Sequence, residues 1–216
     1  MTAASDARAD AGGGRTRLPR SARRAQLLAA AQEVFVASGY HAAAMDDIAE
    51  RAGVSKPVLY QHFPGKLELY LALLDQAAEG LVHAVERALA STADNKARAA
   101  ATTDAYFRFV DETAGSFRLV FESDLVNEAA VRERTELVTH RCAEAISALI
   151  AEDAGLSREE SMLLAVALVG MQQTAARWWL AQDGPVEIED AVRLVSTLAW
   201  RGVRGFPRTG EGAAPA

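Results

Sequence analysis

Residues 55–66 read SKPVLYQHFPGK, and on a helix begun at Ser55 the exposed positions carry Lys56, Val58, Tyr60, Gln61 and His62. An ammonium, a phenol, an amide and an imidazole on one short helix suit contact with phosphate oxygens and base edges. Catalytic chemistry fits the same residues less well. Ser55 and His62 serve as a helix cap and an outward-facing side chain before they make a nucleophile and its base. The four histidines, His41, His62, His83 and His140, show no metal-ligand spacing, and no glycine-rich phosphate loop follows a strand. The pattern points away from an enzyme and implies no cofactor and no metal.

Such a helix reads a duplex only if its neighbours set its angle. Met45–Phe63, MDDIAERAGVSKPVLYQHF, reads as two short helices joined by a tight turn. Ala49 is small where the helices approach, Gly53 ends the first in the left-handed conformation, and Leu59 plugs the second back onto it. A small residue, a glycine and an apolar plug in this order are what a helix-turn-helix needs. Ile48, Ala52, Val54 and Phe63 supply the rest of the core. Ser55 is the expected N-cap of the second helix, Pro57 sits in its first turn, and Pro64-Gly65 stop it. Upstream, Arg23–Tyr40 reads as an amphipathic helix with Leu27, Leu28, Ala31, Val34 and Phe35 at helical spacing, ended by Gly39.

This series resembles the TetR family of transcriptional regulators over about residues 20–75. The resemblance is carried by Gly39-Tyr40, Asp47-Ile48-Ala49, Ala52-Gly53-Val54-Ser55, Leu59-Tyr60, His62-Phe63 and Lys66. It implies an all-α chain with an N-terminal three-helix helix-turn-helix DNA-binding domain and a C-terminal helical ligand-binding and dimerisation domain. It also implies a cytoplasmic homodimer, a ligand-responsive repressor that binds a palindromic operator in double-stranded DNA and releases it when a small molecule enters the second domain. Carried over residue by residue, Tyr60 and His62 lie on the phosphate backbone, Lys66 adds a charge contact there, and Lys56, Pro57, Val58 and Gln61 face the bases. Two positions depart from the family. Ala43-Ala44 stands where a Thr is usual, and losing a cap costs about 1 kcal/mol; Asp46 and Asp47 offset part of this through the helix dipole. Val58 replaces a common Thr and leaves an apolar contact, such as a thymine methyl. The competing reading is a helical adaptor that has kept the fold without operator binding, and only Ala43-Ala44 favours it.

Composition agrees with a DNA-binding head on a larger body. Half of the 216 residues are hydrophobic, so a filled core is expected. The net charge of −6 divides unevenly: residues 1–66 carry nine Lys/Arg against six Asp/Glu, and the remainder fourteen against twenty-three. A cationic end on an acidic body suits a protein that presents one end to a polyanion. Cys142 is the only cysteine, which leaves no intrachain disulfide or cysteine zinc site. Residues 1–19 lack the apolar core of a signal peptide, and the longest apolar run, Met162–Met171, is too short to span a membrane.

The expected boundaries follow. Residues 1–19 form a disordered basic arm that continues into Arg20, Arg23 and Arg24, a solvated tail or a minor-groove contact. Residues 20–66 form the DNA-binding domain, 67–205 the regulatory and dimerisation domain, and 206–216 a flexible tail. Helices are expected over Leu67–Ser91, Lys96–Thr113, Ser116–Ser123, Glu128–Asp153, Ser157–Gln182 and Glu187–Val203. Ser157 and Glu160 make a capping box. The last two helices are apolar over more than one face and form the expected dimer surface. Phe107, Phe117, Phe121, Met171 and Trp178 are candidates to line a ligand cavity, with Arg118, His140, Gln172, Gln173 and Arg177 as polar anchors. The adjacent Trp178 and Trp179 point different ways on a helix, so at most one is expected to face the cavity.

Overall fold

Helix after helix follows from the apolar spacing, and in the computed structural model every regular element among the described residues is helical. The structure describes residues 18–113, 125, 128–182 and 184–203. The expected arm up to residue 17, the helix expected over Ser116–Ser123 and the tail lie outside them.

The first three helices are α1 (Arg20–Ala42), α2 (Met45–Arg51) and α3 (Lys56–His62). The apolar stripe of α1 is buried at Leu27, Leu28, Ala31 and Phe35 and meets Ile48, Ala49, Ala52, Leu59 and Phe63 in one core. Gly39 does not end α1 as the sequence suggested. It kinks the helix, at φ 72° and ψ 167°, and one more turn follows to Ala42. Gly53 takes φ 62° between α2 and α3, a conformation that costs glycine little. The turn closes as Gly53 N donates to Glu50 O at 2.9 Å and Val54 N to Ala49 O at 3.0 Å.

Five longer helices make the body: α4 (Lys66–Ala90), α5 (Asn95–Glu112), α6 (Ala129–Ala154), α7 (Arg158–Ala181) and α8 (Ile188–Val203). Along α4 the expected stripe holds at Leu69, Leu73, Leu81 and Val85, with Ala77 half-buried. Tyr70, Leu74 and Val82 widen it, because α4 packs against α1, α5 and α6 at once. The caps are local and legible. Asp94 accepts from Ala97 N at 3.0 Å, and at α7 Ser157 Oγ accepts from Glu160 N at 3.2 Å while Glu160 accepts from Ser157 N at 2.9 Å. Helix α6 ends at Gly155. Helix α7 lies on α6, and α8 packs chiefly on α5, so α7 and α8 meet only lightly. Among the described residues no helix is long and apolar enough to cross a membrane.

Candidate nucleic-acid interface

Helix α3 is seven residues long, too short to hold its own shape in water. Burial holds it instead: Leu59 and Phe63 are fully enclosed, which forces the intervening positions outward. Lys56, Pro57, Tyr60 and Gln61 are exposed, and Val58 and His62 are half-buried at the edges of the face. Tyr60 is an aromatic left 48% exposed. The structure thus brings six of the seven expected DNA-facing residues onto one surface.

Two neighbours tune that surface. Lys56 pairs with Asp46 of α2 at 2.6 Å, and this partner holds the ammonium in its charged form while tying the start of α3 to the start of α2. On the other side, Arg24 of α1 stacks over the Phe63 ring at 4.4 Å. Burial, then Arg20, Arg24 and Arg23, push the His62 imidazole below its ordinary pKa. Arg23 and Arg24 lie on the helix expected over Arg23–Tyr40, and α1 begins one turn earlier, at Arg20. Gln26 adds a second brace, donating from Nε2 to Ala52 O at 2.7 Å at the helix-turn-helix corner.

Three expectations change on inspection. Ser55 occupies the N-cap position of α3, but its side chain makes no cap bond; its carbonyl accepts from Val58 N at 3.0 Å and Leu59 N at 3.3 Å. At α2 the cap absent from Ala44 is replaced from the other direction, as Asp47 Oδ2 accepts the Ala44 N–H at 3.3 Å. Asp47 therefore acts by a direct bond as well as through the dipole, whereas Asp46 is engaged with Lys56. Lys66 is the seventh expected contact. Its ammonium donates to the carbonyls of Tyr40, His41 and Ala43 at 2.8, 3.2 and 2.9 Å.

The ligand candidates divide more sharply. A groove of about 710 Å³ opens between α5, α7 and α8, and Phe107, Met171 and Trp178 line it with Gly170, Trp179 and Leu194. Both tryptophans face it, against the expectation of one. Trp179 is buried as its floor, edge-on to Phe107 at 6.0 Å, with Nε1 donating to Val186 O at 2.8 Å, and the mostly exposed Trp178 forms the rim. The groove is wide because α7 and α8 splay apart, so two directions on α7 open into it. The polar anchors lie elsewhere. Gln172 is buried, donating to Thr103 Oγ1 at 3.2 Å; His140 is exposed beside Glu144 at 3.6 Å; Arg177 is exposed and Gln173 half-buried. Phe117, Arg118 and Phe121 lie outside the described residues.

A three-helix head with an outward-facing second helix of the turn motif, on an all-helical body, defines a helix-turn-helix DNA-binding regulator. Residues 27–73 match the model of bacterial regulatory proteins of the tetR family. The chain is 47% identical over 201 residues to the HTH-type transcriptional activator FasR of Mycolicibacterium smegmatis, covering 92% of each protein. It is similar in structure to a TetR-like transcriptional regulator from Rhodococcus sp. RHA1, at 30% identity and TM-score 0.63, over 88% of this chain and 100% of that one. It also shares the fold of the transcriptional regulator FadR from Bacillus subtilis, solved in complex with stearoyl-CoA, at 17% identity and TM-score 0.65, over 81% and 96% of the two chains. This chain belongs to the TetR family of transcriptional regulators, which are DNA-binding proteins and not enzymes.

The depressed His62 pKa carries a prediction. A phosphate beside the imidazole would favour its charged form against the burial and arginines that lower its pKa, so DNA binding through His62 would take up a proton. Operator affinity is expected to rise as pH falls from about 7.5 to about 5.5, in linkage with that proton. Fluorescence anisotropy across this range should show a flatter profile for His62→Gln; an equal slope in both proteins would remove His62 from the phosphate contacts.

Proposed function

We propose that this chain is a cytoplasmic, homodimeric regulator that binds a palindromic operator through residues 20–66 and senses an apolar effector through residues 67–205. The contacts assigned to α3 are Tyr60 and His62 to phosphate and Lys56, Pro57, Val58 and Gln61 to bases. The exposure of Lys56, Pro57, Tyr60 and Gln61, with Val58 and His62 half-buried beside them, is the observation that carries this reading. The sign of regulation is proposed as activation. The similar mycobacterial protein, matched along nearly its whole length, is named as an activator, and this similarity outweighs the repressor expected from the family alone.

Dimerisation is supported by a broad apolar surface on α7 and α8. Leu163 is 71% and Leu198 63% exposed, with Val166, Trp178 and Leu194 also open. The run Met162–Met171, which reads as buried nearly all round, keeps one side uncovered in a single protomer. A second copy on this surface completes its burial and roofs the groove beside it. The apolar lining of that groove, together with the stearoyl-CoA complex of B. subtilis FadR, supports an effector with a long acyl chain.

Replacing Leu163 and Leu198 together by Glu should leave the protomer folded, since both side chains are exposed. Analytical ultracentrifugation is expected to show a monomer, with affinity for a palindromic site reduced about 100-fold as the second half-site loses its tethered partner. A variant that stays dimeric moves the interface elsewhere. In a purified transcription reaction, the protein should raise transcript from a promoter bearing its selected site, and stearoyl-CoA should shift operator affinity severalfold. Lowered transcript would restore the repressor reading, and indifference to stearoyl-CoA at saturation would exclude the acyl effector.

A further inference from the structure

We propose that Lys66 is a positioning residue for DNA recognition, locking the corner between α1 and α2 to the first turn of α4 instead of gripping phosphate. It sets the angle at which α2 and α3 meet the duplex. A lysine at the first position of a helix is poorly placed for that helix's own dipole, which favours anions there. Its position is explained by what lies across from it. Helix α1 is kinked at Gly39, and the last carbonyls of a helix have no amide of their own to accept from. Three carbonyls from this end and the following residue, those of Tyr40, His41 and Ala43, converge on the Lys66 ammonium at 2.8, 3.2 and 2.9 Å. An ammonium has three donors, and all three are spent here.

The same nitrogen stands 4.5 Å from the centre of the Tyr40 ring. That ring stacks on Phe35 at 5.9 Å and meets Tyr70 edge-on at 5.1 Å, while Phe35 and Tyr70 meet at 5.3 Å. Phe35 and Tyr70 are buried, so the knot joins an apolar core to a charged cap. Burial, then Glu128 and Glu68, raise the Tyr40 pKa, which brings the residue just before α6 to the same junction.

Packing shows why this junction governs orientation. Helix α3 lies on α2, α2 on α1, and α1 on α4. Besides the Pro64-Gly65 link and the direct packing of Leu59 and Phe63 on α1, this route ties the recognition helix to the body, and Lys66 bonds to its bend. A phosphate could recruit Lys66 only by taking a donor from one of three backbone acceptors.

The two roles leave different signatures in the full-length protein carrying Lys66→Met or Lys66→Arg. The readouts are affinity for the selected operator and for an unrelated duplex between about 50 and 200 mM salt, and amide hydrogen exchange of residues 40–49 without DNA. As a positioning residue, Lys66→Met should lose about tenfold in operator affinity, while the salt slope and the affinity for unrelated duplex stay as in wild type. Exchange at 40–49 should quicken. Lys66→Arg should behave alike, because a planar guanidinium does not fit a compact triad of carbonyls. A slope reduced by about one, equal weakening on every duplex, rescue by Arg and unchanged exchange would overturn the proposal and make Lys66 a phosphate ligand. Should circular dichroism show Lys66→Met unfolded, Lys66→Arg decides alone. A wild type without salt-sensitive duplex binding would sink the DNA-binding reading instead, and the exchange data would still judge the lock.

Discussion

The helix-turn-helix of this fold is built from two helices of seven residues, and neither is long enough to persist unaided. Their shape and direction come entirely from what they are pressed against. Leu59 and Phe63 pin α3 from below, Ile48 and Ala49 pin α2, and Gly53 lets the chain turn between them at φ 62°, a conformation that strains other residues. Every other feature of the head serves that burial. Helix α1 supplies the floor, Gln26 braces the corner, and the Asp46–Lys56 pair joins the two helix starts. The outward face of α3 is then free to vary in chemistry without loss of fold, which is how one scaffold serves many operators.

Electrostatics reinforce the direction. Residues 1–66 carry a net positive charge and the remainder a net negative one, which favours the first part over the second for contact with a duplex. Around His62, burial and the arginines of α1 disfavour a further positive charge. The aromatic knot at Tyr40, Phe35 and Tyr70 lies where head and body join, so the two are connected by packed rings and hydrogen bonds rather than by a loose link alone.

Much of this was legible because the determining contacts are local. Ala49, Gly53 and Leu59 act on residues within one or two turns, and the Ser157–Glu160 box closes within its own first turn, so spacing alone reveals them. The features that escaped depend on distance in sequence. The partners of Lys66 lie 23 to 26 residues upstream. The kink at Gly39 was read as an end because glycine is equally suited to stopping a helix and to bending it. Arg24 over the Phe63 ring and the arginine field at His62 are contacts between α1 and the end of α3, which spacing along α1 does not reveal. In the body, apolar periodicity showed that α7 and α8 bury large surfaces but not which neighbour covers each side. The groove with both tryptophans arises from the splay of two helices, a property no single helix encodes.

The central claim is that α3, held at a fixed angle in each of two symmetric protomers, reads DNA. Selection of random duplexes on the full-length protein at near-physiological salt, followed by sequencing, tests it most directly. The account predicts a palindrome with half-sites about one helical turn apart, roughly 34–36 Å. A pool without enrichment, or a single unpaired half-site, would contradict it.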